Sequence, residues 1–233
     1  MKKSIFVIAA SALVLGVSSC KINNSGTTTP PVSSFAVVHA SPDAPNLNVY
    51  ANGAIVVQNF TYGSDTGYYT VQPGTYSIQM VSATTSAALV NEDVIIAPSK
   101  AYSIFAIDSL NKIKAVAVED NFTVPSSDSV RIRFFHFSPN AAAVDIVNGS
   151  SVLFSNRSFN DQQTNTTLAQ FITIAAGTYN LGVNLAGTST SVLSLPNTIL
   201  QGGKVYTIYA KGFAGGLGAQ ALGVGTIIHN EGN

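Results

Sequence analysis

The sequence predicts an all-β chain built as two tandem two-sheet sandwiches, and three observations predict it. Apolar residues recur with period two, as in Tyr76, Ile78 and Met80 with Ser77 and Gln79 between them, or Tyr206, Ile208 and Ala210 alternating with Thr207 and Tyr209. That is the spacing of strands that bury one face. Turn pairs recur at short intervals, among them Asn52-Gly53, Pro73-Gly74, Asn148-Gly149 and Gly202-Gly203, and no long segment between them has a helical period. The body also repeats itself. Phe35-Ala-Val-Val-His39-Ala-Ser41-Pro42 matches Arg133-Phe-Phe-His136-Phe-Ser138-Pro139 with His, Ser and Pro in register. Pro73-Gly74-Thr75-Tyr76 then matches Ala176-Gly177-Thr178-Tyr179, and Ala101-Tyr102-Ser-Ile104 matches Val205-Tyr206-Thr-Ile208. Three matches in one order indicate duplication.

The first element is an export signal. Lys2 and Lys3 precede an apolar segment from Ile5 to about Val17, and Val17-Ser18-Ser19-Cys20 closes it with small residues before the only cysteine of the chain. Residues 1–19 therefore read as a signal peptide, too short for a stable membrane span. The closing pattern resembles the bacterial lipobox, with Val17 in place of the commoner leucine. The resemblance implies cleavage before Cys20, a diacylglycerol on its thiol and an acyl chain on its amine. Each buried methylene adds about 0.8 kcal/mol of membrane affinity, so several chains on one residue hold a protein durably.

From residue 20 to 34 the chain is the lipidated cysteine and a tether, KINNSGTTTPPVSS, without apolar periodicity and with two consecutive prolines. Residues 35–120 form the first sandwich, 121–127 the linker with Pro125 and two serines, and 128–233 the second sandwich. No later apolar run reaches the roughly 18 residues of a transmembrane helix. With no cysteine in the body, stability must come from burying apolar surface rather than from disulfides. About seven short strands per repeat suit an immunoglobulin-like sandwich, although the cysteine pair and tryptophan of antibody domains are missing.

Without residues 1–19 the chain has nine Lys/Arg against eleven Asp/Glu, a formal net charge of −2. The basic residues are scattered, with Arg131 and Arg133 the closest pair on one strand, so nucleic acid is excluded as a partner. The residues after Cys20, Lys21-Ile22-Asn23-Asn24, lack the acidic run of many surface-exported lipoproteins of the Bacteroidetes type. The expected location is the cell envelope at the outer membrane, surface- or periplasm-facing, with this departure favouring the periplasm.

His39 to Gly53, HASPDAPNLNVYANG, and His136 to Gly149, HFSPNAAAVDIVNG, resemble the start of the domain-of-unknown-function family 4397 (DUF4397), as do the Gly-Thr-Tyr and Tyr-Ser/Thr-Ile strands. The resemblance implies tandem β-sandwich repeats in a bacterial cell-envelope protein and brings no activity. The two aspartates of the family pattern are Asp43 with Asn48 in one repeat and Asn140 with Asp145 in the other, so neither repeat keeps a carboxylate pair.

His39, Ser41 and Asp43 alternate as a nucleophilic triad on a strand might. Residues two apart on a strand lie about 6.6–7 Å apart, too far for nucleophile-to-base contact, and Pro42 interrupts the strand. The better reading has His39 and His136 bonded to a loop carbonyl and Ser-Pro forming a turn, so no catalytic residue is assigned. His39, His136 and His229 lie far apart in sequence, and Asp43 or Asp145 lacks the dense acidic loop that calcium needs, so no metal is expected. Gly216 to Ala221 fits G-x-G-x-x-A without the βαβ unit that motif requires and reads as a flexible hairpin loop; no cofactor is expected. Ser109 in Asp108-Ser109-Leu110 and Ser129 in Asp128-Ser129-Val130 resemble the O-glycosylation acceptor of Bacteroidetes envelope proteins. Tyr62, Tyr68 and Tyr69, in a Gly/Ser/Thr-rich stretch, are the candidate recognition surface, with core packing as the competing role. The function expected is a noncatalytic, lipid-anchored module that binds a protein or glycan, adheres or organises the envelope. A hydrolase or accessory subunit in carbohydrate processing is the alternative.

Overall fold

The computed structural model describes residues 31–229. The signal peptide, Cys20 and the tether to residue 30 lie outside the described residues. The first repeat comprises β1 (Ser33–His39), β2 (Leu47–Ala51), β3 (Ala54–Phe60), β4 (Tyr69–Val71), β5 (Gly74–Ser82), β6 (Ala88–Ile96), β7 (Ala101–Ile107) and β8 (Lys114–Asp120). The second comprises β9 (Ser129–His136), β10 (Val144–Asn148), β11 (Ser151–Arg157), β12 (Ile172–Ala175), β13 (Gly177–Leu185), β14 (Ser191–Leu200), β15 (Val205–Lys211) and β16 (Gly223–Ile228). The chain is all-β, two tandem sandwiches of the immunoglobulin-like, two-layer kind. Four strands face four, where an immunoglobulin constant domain sets four on three.

The sheet orders are β4-β1-β7-β8 on β3-β2-β5-β6, then β12-β9-β15-β16 on β11-β10-β13-β14. The orders match strand for strand, and each repeat has one parallel pair, β1 with β7 and β9 with β15. Asn52 and Gly53 adopt positive φ at the β2–β3 turn, which is why Asn-Gly stands there. Asn59 and Asn156, also at positive φ, mark equivalent irregularities where β3 and β11 pair with their neighbours.

Each repeat has its own core. Phe35, Val37, Leu47, Ile78, Met80 and Ile104 lead the first, and Ile132, Phe134, Ile146, Leu181, Val183 and Ile208 the second. A third cluster joins Val38, Phe105, Val116 and Val118 of the first repeat to Phe135, Phe137, Tyr209 and Ile227 of the second. The outer face of the β1/β7/β8 sheet therefore packs on the outer face of the β9/β15/β16 sheet, and the layers stack as one four-sheet body. The inner strands of these two sheets, β1, β7, β9 and β15, are buried on both sides. They are accordingly near-continuous apolar runs, Phe35-Ala-Val-Val and Phe134-Phe135, and β1 and β9 are buried almost throughout. The half-buried alternation expected for Tyr206 to Ala210 is corrected here, since Thr207 and Tyr209 are buried in the seam.

The repeats are related by an approximate two-fold axis running along the strands. Phe105 and Tyr209, equivalent by the strand pairing, meet with ring centroids 6.0 Å apart. Lys211, at the far end of β15, lies 4.8 Å over the Tyr62 ring at the same end of the first repeat. Ser33, Lys100, Asn121 and Phe122 surround one cleft at the opposite end, and the Phe122 ring there packs near His229. Chain entry, linker and last described strand thus share one end, called proximal here. The loops after β1, β5 and β7, and their counterparts, form the distal end.

Candidate functional site

The repeated His-x-Ser-Pro segment ends β1 and β9 at the distal end. His39 Nε2 donates to the Pro45 carbonyl at 3.2 Å and His136 Nε2 to the Ala142 carbonyl at 3.2 Å. These are the loop-carbonyl partners the sequence suggested, and they leave both Nδ1 atoms buried and unprotonated. Burial lowers both imidazole pKa values. Ser41 donates its hydroxyl proton to the Asp108 carbonyl at 2.6 Å rather than to His39. Asp43 Oδ1 accepts the Leu110 N–H at 2.7 Å, as Asn140 Oδ1 accepts that of Ala214 at 2.8 Å. The Asp43/Asn140 exchange thus keeps one task, tying the β1–β2 loop to the β7–β8 connection and its counterpart. Asn48 Oδ1 accepts the Asn59 N–H and Asp145 Oδ1 that of Asn156, bracing the left-handed residue of each irregular pairing. A second bond from Gly187 N–H to Asp145 Oδ2 helps to hold that carboxyl below its ordinary pKa.

The three tyrosines do not form one platform. Tyr62 is half-buried edge-on to His39, at 5.9 Å, and burial raises its pKa to about 12. Tyr69 packs tilted on Phe35 at 6.1 Å and its hydroxyl reaches the Val56 carbonyl. Tyr68 turns into the seam between the repeats. Ser109 Oγ donates to Asn111 Oδ1 at 2.7 Å before a short 3-10 turn, and Ser129 opens β9 with its hydroxyl against Ser126 and Asp128. Both serines are half-buried. The Gly216–Ala221 segment runs from β15 through a 3-10 turn into β16, with no helix after it. It is a closed loop rather than a loose one, pinned by Phe213 N–H to the Gln220 carbonyl at 2.8 Å and Gln220 N–H to the Leu217 carbonyl at 3.1 Å.

The most concentrated chemistry lies at the proximal part of the seam. Arg133 and Asp120 form an ion pair with both side chains fully buried. Arg133 Nε donates to Thr207 Oγ1 at 2.7 Å and its Nη1 to the Glu119 carbonyl at 3.0 Å, while Phe135 and Phe171 lie 4.7 and 4.4 Å from the guanidinium. Asp120 Oδ2 accepts from the Tyr68 hydroxyl at 2.7 Å and from Ser103 Oγ at 2.8 Å. His229 Nδ1 is 2.6 Å from the Tyr68 hydroxyl and its Nε2 is 2.6 Å from Thr207 Oγ1.

Proton counting orders this ring. The Tyr68 proton goes to Asp120, so His229 Nδ1–H donates to the Tyr68 oxygen and bare Nε2 accepts from Thr207, whose oxygen accepts from Arg133. Each hydroxyl and the imidazole N–H then donates once. Burial drives the His229 pKa down to about 4, against the pull of Asp120 and with the help of Arg133. Burial and then Asp120 push the Tyr68 phenol far up. By strand register Asp120 corresponds to His229, Ser103 to Thr207 and Tyr68 to Phe171. One pseudo-symmetric position thus carries an acid in one repeat and an imidazole in the other, and the Tyr68 hydroxyl joins the two.

Two clefts, of about 490 Å³ and about 340 Å³, approach the ring from either side of Asp120, and Thr207 lines neither. Among the described residues no group of three His, Cys, Asp or Glu side chains could hold a metal, and no helix is long and apolar enough to cross a membrane.

Residues 33–147 match the family described as a domain of unknown function, DUF4397. Over these residues the chain is similar to DUF4397. The match spans β1 to β10, so it crosses the linker and includes the His136-x-Ser138-Pro139 segment as well as its first copy. The DUF4397 span therefore takes in Asp120 and Arg133, the ion pair that joins the repeats, and stops before Thr207 and His229. No curated protein matches the chain. Sequence reasoning missed the ring because its members are scattered from Tyr68 to His229. The available signal was an arginine inside an apolar run, Ile132-Arg133-Phe134-Phe135, where a charge must be paired if both faces are buried.

Proposed function

We propose that the chain is a noncatalytic lipoprotein of the bacterial cell envelope, anchored through Cys20, in which two sandwiches act as one rigid module for binding, adhesion or structural organisation. The polarity of the body carries this reading. Chain entry, linker and last described strand share the proximal end, so an anchor ahead of Pro31 leaves the duplicated loops free to meet a protein or glycan. Further support comes from His39, Ser41 and Asp43, each of which is committed to holding a loop. The test is protease accessibility on intact and permeabilised cells, with Cys20→Ala as control. Membrane association lost in Cys20→Ala, with digestion of the wild type only once its compartment is opened, supports an anchored envelope module. Membrane-independent behaviour of the wild type refutes it.

One observation favours the second reading, a hydrolase. Thr207 Oγ1 donates to His229 Nε2 at 2.6 Å, a nucleophile-to-base contact, and Tyr68 and Asp120 stand behind the imidazole. Thr207 is fully buried, so this reading needs the seam to open. Ester or glycoside turnover that Thr207→Ala abolishes and Thr207→Ser keeps would establish it.

A further inference from the structure

We propose that the cleft of about 340 Å³ beside β8 binds one neutral saccharide unit of a glycan, a hydroxyl of which donates to Gln162 Oε1. The cleft owes its far wall to an insertion. Phe60 and Arg157 are equivalent by their pairing with Leu47 and Val144, and Tyr69 and Ile172 by theirs with Phe35 and Ile132. Between those positions the first repeat has eight residues and the second fourteen. The added length folds into two 3-10 turns, Asp161–Gln163 and Thr166–Ala169. A buried ion pair fastens it, with Arg157 Nη2 at 2.7 Å from Asp161 Oδ1 and Arg157 Nη1 donating to the Phe134 carbonyl at 2.6 Å. Asn160 N–H donates to the His136 carbonyl at 2.8 Å. A wall held this way has little conformational freedom left to lose when a ligand arrives.

Gln162 is the residue that this wall brings to the cleft, and it is only 3% exposed. Its Nε2 donates to Asn160 Oδ1 at 2.8 Å, and Asn160 Nδ2 in turn donates to Gln163 Oε1 at 2.6 Å. That relay fixes which end of the Gln162 amide is the carbonyl, and the carbonyl has no partner in the folded chain. A buried acceptor without a donor costs stability, so a donor supplied from the cleft is gained at a group already desolvated. The rest of the lining selects the kind of donor. Its only charged residues, Glu119 and Asp120, are carboxylates already paired with Lys100 and Arg133, and no Lys or Arg lines it. Neither an anion nor a cation finds an open counter-charge there. Asn121, Thr166 and Gln170 present amides and a hydroxyl, groups that both donate and accept as sugar hydroxyls do. The half-buried Phe171 ring adds apolar surface for the C–H edges of a sugar. A peptide added as a strand would instead take its bonds from the β8 backbone. The cleft lies at the proximal part of the seam, apart from the distal loops, and needs no lipid on Cys20, so the inference stands or falls separately from the function proposed above.

The experiment titrates the full chain with neutral trisaccharides of glucose, mannose, galactose and N-acetylglucosamine, with trigalacturonate as the anionic control, and follows amide NMR signals. At least one neutral trisaccharide binds with a dissociation constant of about 1 mM or tighter and moves the side-chain amide signals of Gln162 and Asn121, while trigalacturonate does not. Gln162→Met removes the carbonyl at similar size and weakens binding about tenfold. It leaves the thermal midpoint nearly unchanged, because the bond lost to Asn160 is offset by removal of an unpartnered acceptor. Thr166→Trp, at an exposed position, fills the cleft and abolishes binding. No binding by any neutral trisaccharide, or binding that either variant leaves unchanged, overturns the proposal. So does an extended Thr-Val repeat peptide that protects the β8 amides from exchange where no saccharide moves Gln162.

Discussion

Arg133 of the second repeat and Asp120 of the first are paired in the seam between the repeats with neither side chain reaching solvent. Such a pair contributes little net stability against well-packed apolar residues, yet removing one partner strands a buried charge. Asp120→Asn is therefore expected to cost about 3–5 kcal/mol in urea denaturation. The double variant Asp120→Leu with Arg133→Met should recover part of that loss, but not all, because Ser103, Tyr68 and Thr207 lose partners as well.

Acid should loosen the seam through His229. Its folded-state pKa of about 4 lies below its ordinary 6.5, so the unfolded chain binds the proton more tightly. The stabilisation is complete above pH 6.5 and is lost as pH falls from there toward 4. It amounts to on the order of 3 kcal/mol. His39 and His136 are lowered in the same direction. Denaturation midpoints measured across this window should fall with pH, and His229→Gln should flatten the His229 share of that slope.

Gly225 lies opposite Tyr209, and a Cβ there would come 2.2 Å from the ring. The equivalent pair in the first repeat is Val116 with Phe105. Gly225→Ala is expected to destabilise by about 1–3 kcal/mol through overpacking. Adding Tyr209→Leu should cost less than the sum of the two single changes, because the clash is then already relieved.

Met80 and Val183 occupy equivalent positions, and the small slot in the second repeat lies beside Val183. Val183→Met should fill it and raise stability by about 0.5–2 kcal/mol, as cavity filling does. A lowered thermal midpoint would mean that the slot cannot take the extra atoms.

The two sandwiches were legible because period-two strands, Asn-Gly turns and the repeated His-x-Ser-Pro segment all act locally. The roles of His39 and Ser41 could be read for the same reason, since a proline next to a serine forces a turn within a few residues. The four-sheet stack was harder. Phe135, Tyr209 and Val38 look like ordinary strand residues until both faces of their sheets are counted, and Thr207 breaks the apolar run enough to resemble a solvated face. Tyr68 suggested a surface because its neighbours are small and polar, whereas the partner that draws it inward, His229, is 161 residues away. No pattern of spacing encodes a contact at that separation. The linker also reads as a spacer, although Phe122 packs edge-on against Tyr68 at 4.8 Å and Arg131 donates to the Thr123 carbonyl.

The central claim is that the two repeats form one body rather than two beads, and calorimetry of the full chain tests it most directly. A single transition whose calorimetric enthalpy equals its van't Hoff enthalpy is the expected result, shifted as a whole by Asp120→Asn. Two resolved transitions, with only one of them moved by that substitution, would contradict it.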